Sequence, residues 1–189
     1  MDEYKLLAEE TKASYEIFKG QLLHVFRDQV QLPDGGASGR EWIKHPGACA
    51  LVPVFNNGEV MMLRQFRYPP RQIFWEVPAG KIDPNEHPDH TARRELQEEA
   101  GIECRHLEYI GHFYPCVGYS DEIIHIYAAW HIREIDQQPD PDEFVIKERL
   151  PFAKAVEMVH NGEINDSKTV VCLLRVWNWW KENGHFELG

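Results

Sequence analysis

Apolar residues along the chain gather in short runs separated by turn residues. Residues 22–32 read as a strand, with Val25, Val30 and Leu32 among polar neighbours. Pro33-Asp34-Gly35-Gly36 marks a turn, and 41–45 form a second strand. Residues 47–55 are almost continuously apolar between turn signals, the pattern of a buried strand. Asn57-Gly58 closes a hairpin into the strand 60–63. Further strands are expected at 73–77, 107–113, 123–130 and 144–146. The first twenty residues mix charges with Leu6, Leu7, Ile17 and Phe18, which suits a short helix leading into a strand.

Helical spacing is found in three places. Residues 90–100 carry Ala92, Leu96 and Ala100 on one stripe, and Gly101 suits a left-handed stop. Pro151 opens a second helix through Ala155, Val156 and Val159, ending at Asn161-Gly162. Asp166 or Ser167 caps a third through Val170, Leu173, Leu174 and Trp177, ending at Asn183-Gly184. Strands with interspersed helices and no strict βαβ rhythm predict an α/β domain with a mixed sheet between helices. Residues 1–45 read as an N-terminal strand arm, and 46–189 as the main domain.

The chemistry concentrates on the helix at 90–100. Glu95, Glu98 and Glu99 are three or four residues apart and project on one face. Like charges at that spacing repel by about 0.2–0.5 kcal/mol per pair. The helix C-terminus, which favours cations, adds to the cost. A hard divalent cation such as Mg²⁺ or Mn²⁺ would remove the repulsion and take the carboxylate oxygens as ligands. Arg94 can pair with Glu98 or with Glu86 and so orient that shell.

These acids belong to a longer pattern. Gly80, Glu86, Arg94-Glu95-Leu96, Glu98-Glu99 and Gly101-Ile102 fall at G-x₅-E-x₇-R-E-(apolar)-x-E-E-x-G-(apolar), nine positions over 23 residues without a gap. The pattern resembles the Nudix box, the signature of hydrolases that cleave nucleoside diphosphates linked to another moiety. The resemblance implies a Nudix fold, an α/β/α sandwich with a mixed sheet, over roughly residues 45–189. It also implies that Glu95 and Glu99 are metal ligands, that Glu98 is a further ligand directly or through water, and that the carbonyl of Ala79 completes the shell. Glu86 and Arg94 would support those ligands from behind.

Three further segments resemble the ADP-ribose pyrophosphatase and nucleoside diphosphate sugar hydrolase branch. They are Arg64-Gln65-Phe66-Arg67, Trp75-Glu76-Val77-Pro78-Ala79-Gly80 and Gly118-Tyr119-Ser120-Asp121-Glu122. With the arm, this likeness covers about residues 20–180. It implies a homodimer joined through the arm, stacking of Trp42 on the nucleobase, contact of Arg67 with the diphosphate, and a substrate role for Glu122. An acidic loop after the box supplies the general base in that branch. Here Glu143 is the first choice and Asp142 the second. ADP-ribose-specific members carry a proline downstream of the box where this chain has Val117, with Pro115 nearby. That departure implies a wider range, including ADP- and GDP-hexoses.

Composition narrows the remaining choices. Acidic residues outnumber basic ones 31 to 20, for a net charge of −11, which argues against nucleic acid or anionic membrane as a partner. No apolar run approaches the ~20 residues of a spanning helix, and Met1-Asp2-Glu3-Tyr4-Lys5 is no secretory signal. Four scattered cysteines without a C-x-x-C pair suit reduced thiols in the cytoplasm. No H-E-x-x-H or G-x-S-x-G setting is present, against a zinc peptidase or a serine hydrolase. Hydrolysis of a dinucleoside polyphosphate, NADH or coenzyme A stays open as an alternative, as does a non-catalytic nucleotide-sugar sensor.

Overall fold

A computed structural model describes residues 3–137 and 144–183. They fall into two compact units. The first runs up to Pro46 and takes in Cys116–Ile123; the second comprises Gly47–Pro115 and the chain from Ile124 onward.

The first unit begins with a short helix, α1 (Glu3–Leu7), and three strands, β1 (Glu10–Lys19), β2 (His24–Gln31) and β3 (Ala37–Ile43), paired antiparallel in that order. The arm was expected to hold two strands. The extra one, β1, is exposed along nearly its whole length, so no buried face imposes the alternation by which a strand is recognised. Residues of Cys116–Ile123 add to this unit. The Ile43 amide donates to the Tyr119 carbonyl at 2.8 Å, and the His45 amide to Asp121 Oδ1 at 2.7 Å.

The second unit is built on two sheets. The four-stranded sheet has the order β7 (Ala79–Lys81), β4 (Ala48–Pro53), β9 (Ile124–Glu134), β8 (Ile102–Phe113). Its central pair β4–β9 is parallel and the outer pairs are antiparallel, so the sheet is mixed. An antiparallel sheet holds β10 (Val145–Pro151), β5 (Glu59–Arg67) and β6 (Gln72–Glu76). Strand β7, three residues long, was too short to show in the pattern.

Every residue of β4 is buried because helices cover both faces of its sheet. Alternate side chains sort to opposite layers. Ala48, Ala50 and Val52 join Ile126 and Ala128 in the core under α3 (Phe152–His160) and α4 (Ser167–Glu182). Cys49 and Leu51 join Tyr127 and Ala129 against α2 (Pro88–Glu98). The stripe of Ala92, Leu96 and Ala100 docks there, fully buried. The layers are thus helix, sheet, helices, the α/β/α sandwich expected for this part of the chain.

The helix ends explain where the acidic cluster sits. Glu99 caps α2 with its amide on the Glu95 carbonyl at 3.0 Å, and Gly101 turns the chain at φ 62°. A Cβ there would press on the Ile135 carbonyl. Two side chains from elsewhere bind the carbonyls just past the end of α2. Gln137 Nε2 donates to Glu99 O at 2.6 Å, and Lys147 Nζ to Ala100 O at 3.3 Å. The Lys147 ammonium offsets the dipole penalty of three acids at this end. At the other helices, Asp166 caps α4 by accepting from the Thr169 amide, and Pro151 precedes α3. All four cysteines are free thiols, with Cys49 and Cys172 buried.

Candidate active site

The last turn of α2 meets the backbone of β7. Glu95 and Glu99 face inward at 7% and 3% exposure, whereas the Glu98 side chain is about a third exposed. The spacing therefore puts all three on one side of the helix, but packing divides them into a buried pair and a rim residue. Glu99 Oε2 accepts from the Ala79 amide at 2.7 Å. Glu95 lies over Gly80 in space that a side chain would fill: a Cβ on Gly80 would fall within 3.0 Å of both its carboxylate oxygens. The glycine is required here by close approach rather than by an unusual φ.

Arg94 binds the acids together. Its Nη1 donates to Glu95 Oε1 at 2.7 Å and Glu98 Oε2 at 2.8 Å. Its Nη2 donates to Glu86 Oε2 and to the Lys81 carbonyl, both at 3.1 Å, and its Nε reaches Glu86 Oε1 at 3.3 Å. The fork thus reaches Glu86 and Glu98 together, where the sequence left a choice. Burial pulls the guanidinium pKa down, but bonds to Glu86 and the charges of Glu95 and Glu98 more than restore it. Glu86 is held down to about 2 by Arg94 and by the Thr91 hydroxyl, which donates to it at 2.7 Å.

Oxygen donors on two buried carboxylates, beside a backbone approached closely at Gly80, suit a hard divalent cation. In this arrangement, however, the Arg94 guanidinium is the cation between Glu95 and Glu98. Among the described residues no group of three or more His, Cys, Asp or Glu side chains is gathered as a metal cage. Arg94 holds only Oε2 of Glu98, so the other oxygen can ligate a cation with that bond intact.

Arg67, on β5, is tied to Glu76 at the end of β6. Nε donates to Oε1 at 2.7 Å and Nη2 to Oε2 at 2.5 Å. Glu76 is 2% exposed. Burial raises its pKa, but Arg67 and Lys168 outweigh that and lower it. Neither Glu76 nor Lys168 was singled out as a site residue from sequence. The available signal was an acid inside the otherwise apolar run 73–77, which must be paired if it is to be buried.

The other sequence candidates lie apart from this cluster in the chain. In the first unit, Trp42 faces Phe26 across β2–β3, with ring centroids 5.1 Å apart and planes 22° apart. Its Nε1 donates to Asp28 Oδ2 at 2.9 Å. Glu122 lies 3.6 Å from His45 Nδ1, and its amide donates to Ser120 Oγ at 3.1 Å. Val117 is 79% exposed. Asp142 and Glu143 lie outside the described residues.

Comparison with known proteins agrees with the geometry. Residues 44–171 match the family described as the NUDIX domain. The ADP-ribose pyrophosphatase of Bacillus subtilis (strain 168) is 38% identical over 171 residues, covering 89% of this chain and 92% of the relative. A GDP-mannose pyrophosphatase of Yersinia enterocolitica is 34% identical over 136 residues, covering 67% of this chain and 71% of the relative. A crystal structure of an ADP compounds hydrolase superposes with a TM-score of 0.84 at 20% identity, covering 96% of this chain and 98% of the other, a likeness of fold. With its box, its sandwich and a domain match over most of its length, this chain belongs to the NUDIX family.

Proposed function

We propose that the chain hydrolyses the pyrophosphate bond of nucleoside diphosphate sugars, ADP-ribose and ADP- or GDP-hexoses among them, to a nucleoside monophosphate and a sugar phosphate. The observation that carries this reading is the buried Glu95–Glu99 pair seated on the backbone of Ala79 and Gly80. Likeness to an ADP-ribose pyrophosphatase over 89% of the chain supports the substrate class.

In this reading Glu95, Glu99 and the Ala79 carbonyl would hold Mg²⁺ or Mn²⁺, with Glu98 as a further ligand directly or through water. The bound ion supplies charge neutralisation on the phosphoryl oxygens and a more acidic water. The protein's own groups do the rest. Arg67 binds diphosphate oxygens through the part of its fork that Glu76 leaves free, which suits guanidinium geometry. Glu143, or Asp142 in its place, accepts the proton of the attacking water. Trp42 stacks on the base, and Glu122 contacts substrate from the same unit. Arg94 orients the acids by bonding Glu86, Glu95 and Glu98 at once.

The chain pairs as a homodimer through the arm, a reading supported by the apolar residues the arm leaves at the surface. Tyr15, Ile17, Phe18 and Leu22 are each at least half exposed, a patch of the kind that marks an interface. The four free thiols support a cytoplasmic location. No described helix is long and apolar enough to cross a membrane.

The test is a substrate panel of ADP-ribose, ADP-glucose, GDP-mannose, diadenosine polyphosphates and NADH, each with Mg²⁺ or Mn²⁺. Cleavage of the diphosphate sugars with the highest kcat/KM is expected. Preference for the dinucleotides, or no turnover of any compound, overturns the reading.

A further inference from the structure

Beside the α2 cluster runs a second chain of charges that the acidic helix does not need. Lys168, in the first turn of α4, donates to the same Glu76 oxygen that Arg67 holds, and to Asp166 Oδ2 at 3.0 Å. Asp166 also accepts from the Thr169 amide at 3.0 Å and from its hydroxyl at 2.6 Å. The Thr169 hydroxyl in turn accepts from the Val77 amide at 3.0 Å, beside Glu76 in the chain. Asp166, Lys168 and Glu76 are thus fixed to helix cap and strand backbone alike.

One cation suffices to neutralise a buried carboxylate. Arg67 alone, with two bonds, meets that need. Lys168, its side chain only 15% exposed, is shared between Glu76 and Asp166, so that two cations face two carboxylates and Lys168 ties one acid to the other. What it adds is direction. With Lys168 and Arg67 both on Glu76, the carboxylate plane cannot turn, so the bidentate partner of Arg67 is fixed.

Arg67 is the most exposed member of the relay. Glu76 side-chain exposure is 2%, that of Lys168 15% and that of Arg67 40%. The bonds to Glu76 use Nε and Nη2, and among the described residues Nη1 makes no hydrogen bond. The guanidinium also lies near enough to Glu99 to feel its charge. Three residues past Glu76 in the chain, the Ala79 amide binds Glu99 at 2.7 Å, so the strand that carries Glu76 leads directly to the acids of α2.

We propose that Lys168 and Glu76 are positioning residues, a relay from Asp166 through Lys168 and Glu76 that aims the Arg67 guanidinium at a diphosphate bound beside Glu99. The proposal rests on the function given above for the substrate it names, but the relay can be tested on the diphosphate group alone.

Inorganic pyrophosphate, at a constant concentration of Mg²⁺, is the calorimetric probe. Lys168→Met is expected to bind it about tenfold more weakly than wild type, and Lys168→Arg, which keeps a charged donor to Glu76, close to wild type. Arg67→Ala weakens binding more. Arg67→Ala with Lys168→Met then binds no more weakly than Arg67→Ala alone, because Lys168 acts only through the arginine. In turnover, Lys168→Met raises KM while kcat changes by less than about threefold. If melting shows that Lys168→Met is unfolded, Lys168→Ala, which also removes the donor to Glu76, replaces it in the same cycle.

Independent losses that multiply in the double variant overturn the relay, as does wild-type affinity in Lys168→Met or a wild type that does not bind pyrophosphate. Failure to hydrolyse ADP-ribose with the pyrophosphate cycle intact would count against the proposed reaction and leave the relay standing.

Discussion

Replacing Gly80 with alanine tests the site through a single methyl group. The new Cβ would fall within 3.0 Å of both carboxylate oxygens of Glu95, closer than real Cβ atoms come to other heavy atoms. Gly80 is held in register with Cys49 on β4, so the strand cannot easily withdraw. The carboxylate must retreat instead, by about 1 Å, and a shift of that size in a reacting assembly costs about 10²-fold. We expect kcat/KM to fall by about that factor, or about 2.7 kcal/mol of transition-state stabilisation. Mn²⁺ affinity measured by calorimetry falls with it. Stability changes less, because the obstructed atoms end a flexible side chain; the loss stays at the lower end of the about 1–3 kcal/mol typical of overpacking. In a Glu95→Ala background the same substitution should cost almost no stability, since the obstructed group is gone. Wild-type kcat/KM and Mn²⁺ affinity in Gly80→Ala would refute the placement of Glu95 in the cation site.

Other substitutions separate the remaining roles. Glu143→Gln should cut kcat far more than it raises KM, measured by initial rates on ADP-ribose; unchanged turnover removes Glu143 as the base. Trp42→Ala should raise KM for ADP-ribose by about tenfold, in keeping with the about 1–3 kcal/mol of an aromatic–base stack, with kcat nearly unchanged. Glu86 has a folded pKa of about 2 against an ordinary 4.5. Its ion pair therefore stabilises the fold fully above pH 4.5, and that contribution is lost as pH falls toward 2. Thermal melts should show wild type more stable than Glu86→Gln above pH 4.5, with the gap closing on acidification; a gap independent of pH contradicts this.

What could be read from the sequence follows from where each constraint is local. The uninterrupted apolar run of β4 announced a strand covered on both faces, and the stripe of Ala92, Leu96 and Ala100 announced the docked face of α2. Gly101 marked the helix end because only a left-handed residue fits there. The spacing of Glu95, Glu98 and Glu99 likewise follows from helix geometry alone. Their division into a buried pair and a rim residue does not, because it depends on how β7 and Gly80 meet the helix. Gln137 and Lys147, which bind the carbonyls of Glu99 and Ala100, come from 38 and 47 residues away. The pairing of Glu76 with Lys168 spans 92 residues, and no local pattern encodes it. Strand β1 escaped notice for the opposite reason: with almost no buried residue, it carries little alternation to read.

Phosphorus NMR of the wild-type protein with ADP-ribose and Mg²⁺ tests the central claim most directly. The diphosphate resonances should vanish while two phosphomonoester resonances grow in equal amounts, from AMP and ribose 5-phosphate. Persistence of the diphosphate resonances, with Mn²⁺ as well as Mg²⁺, would contradict the account.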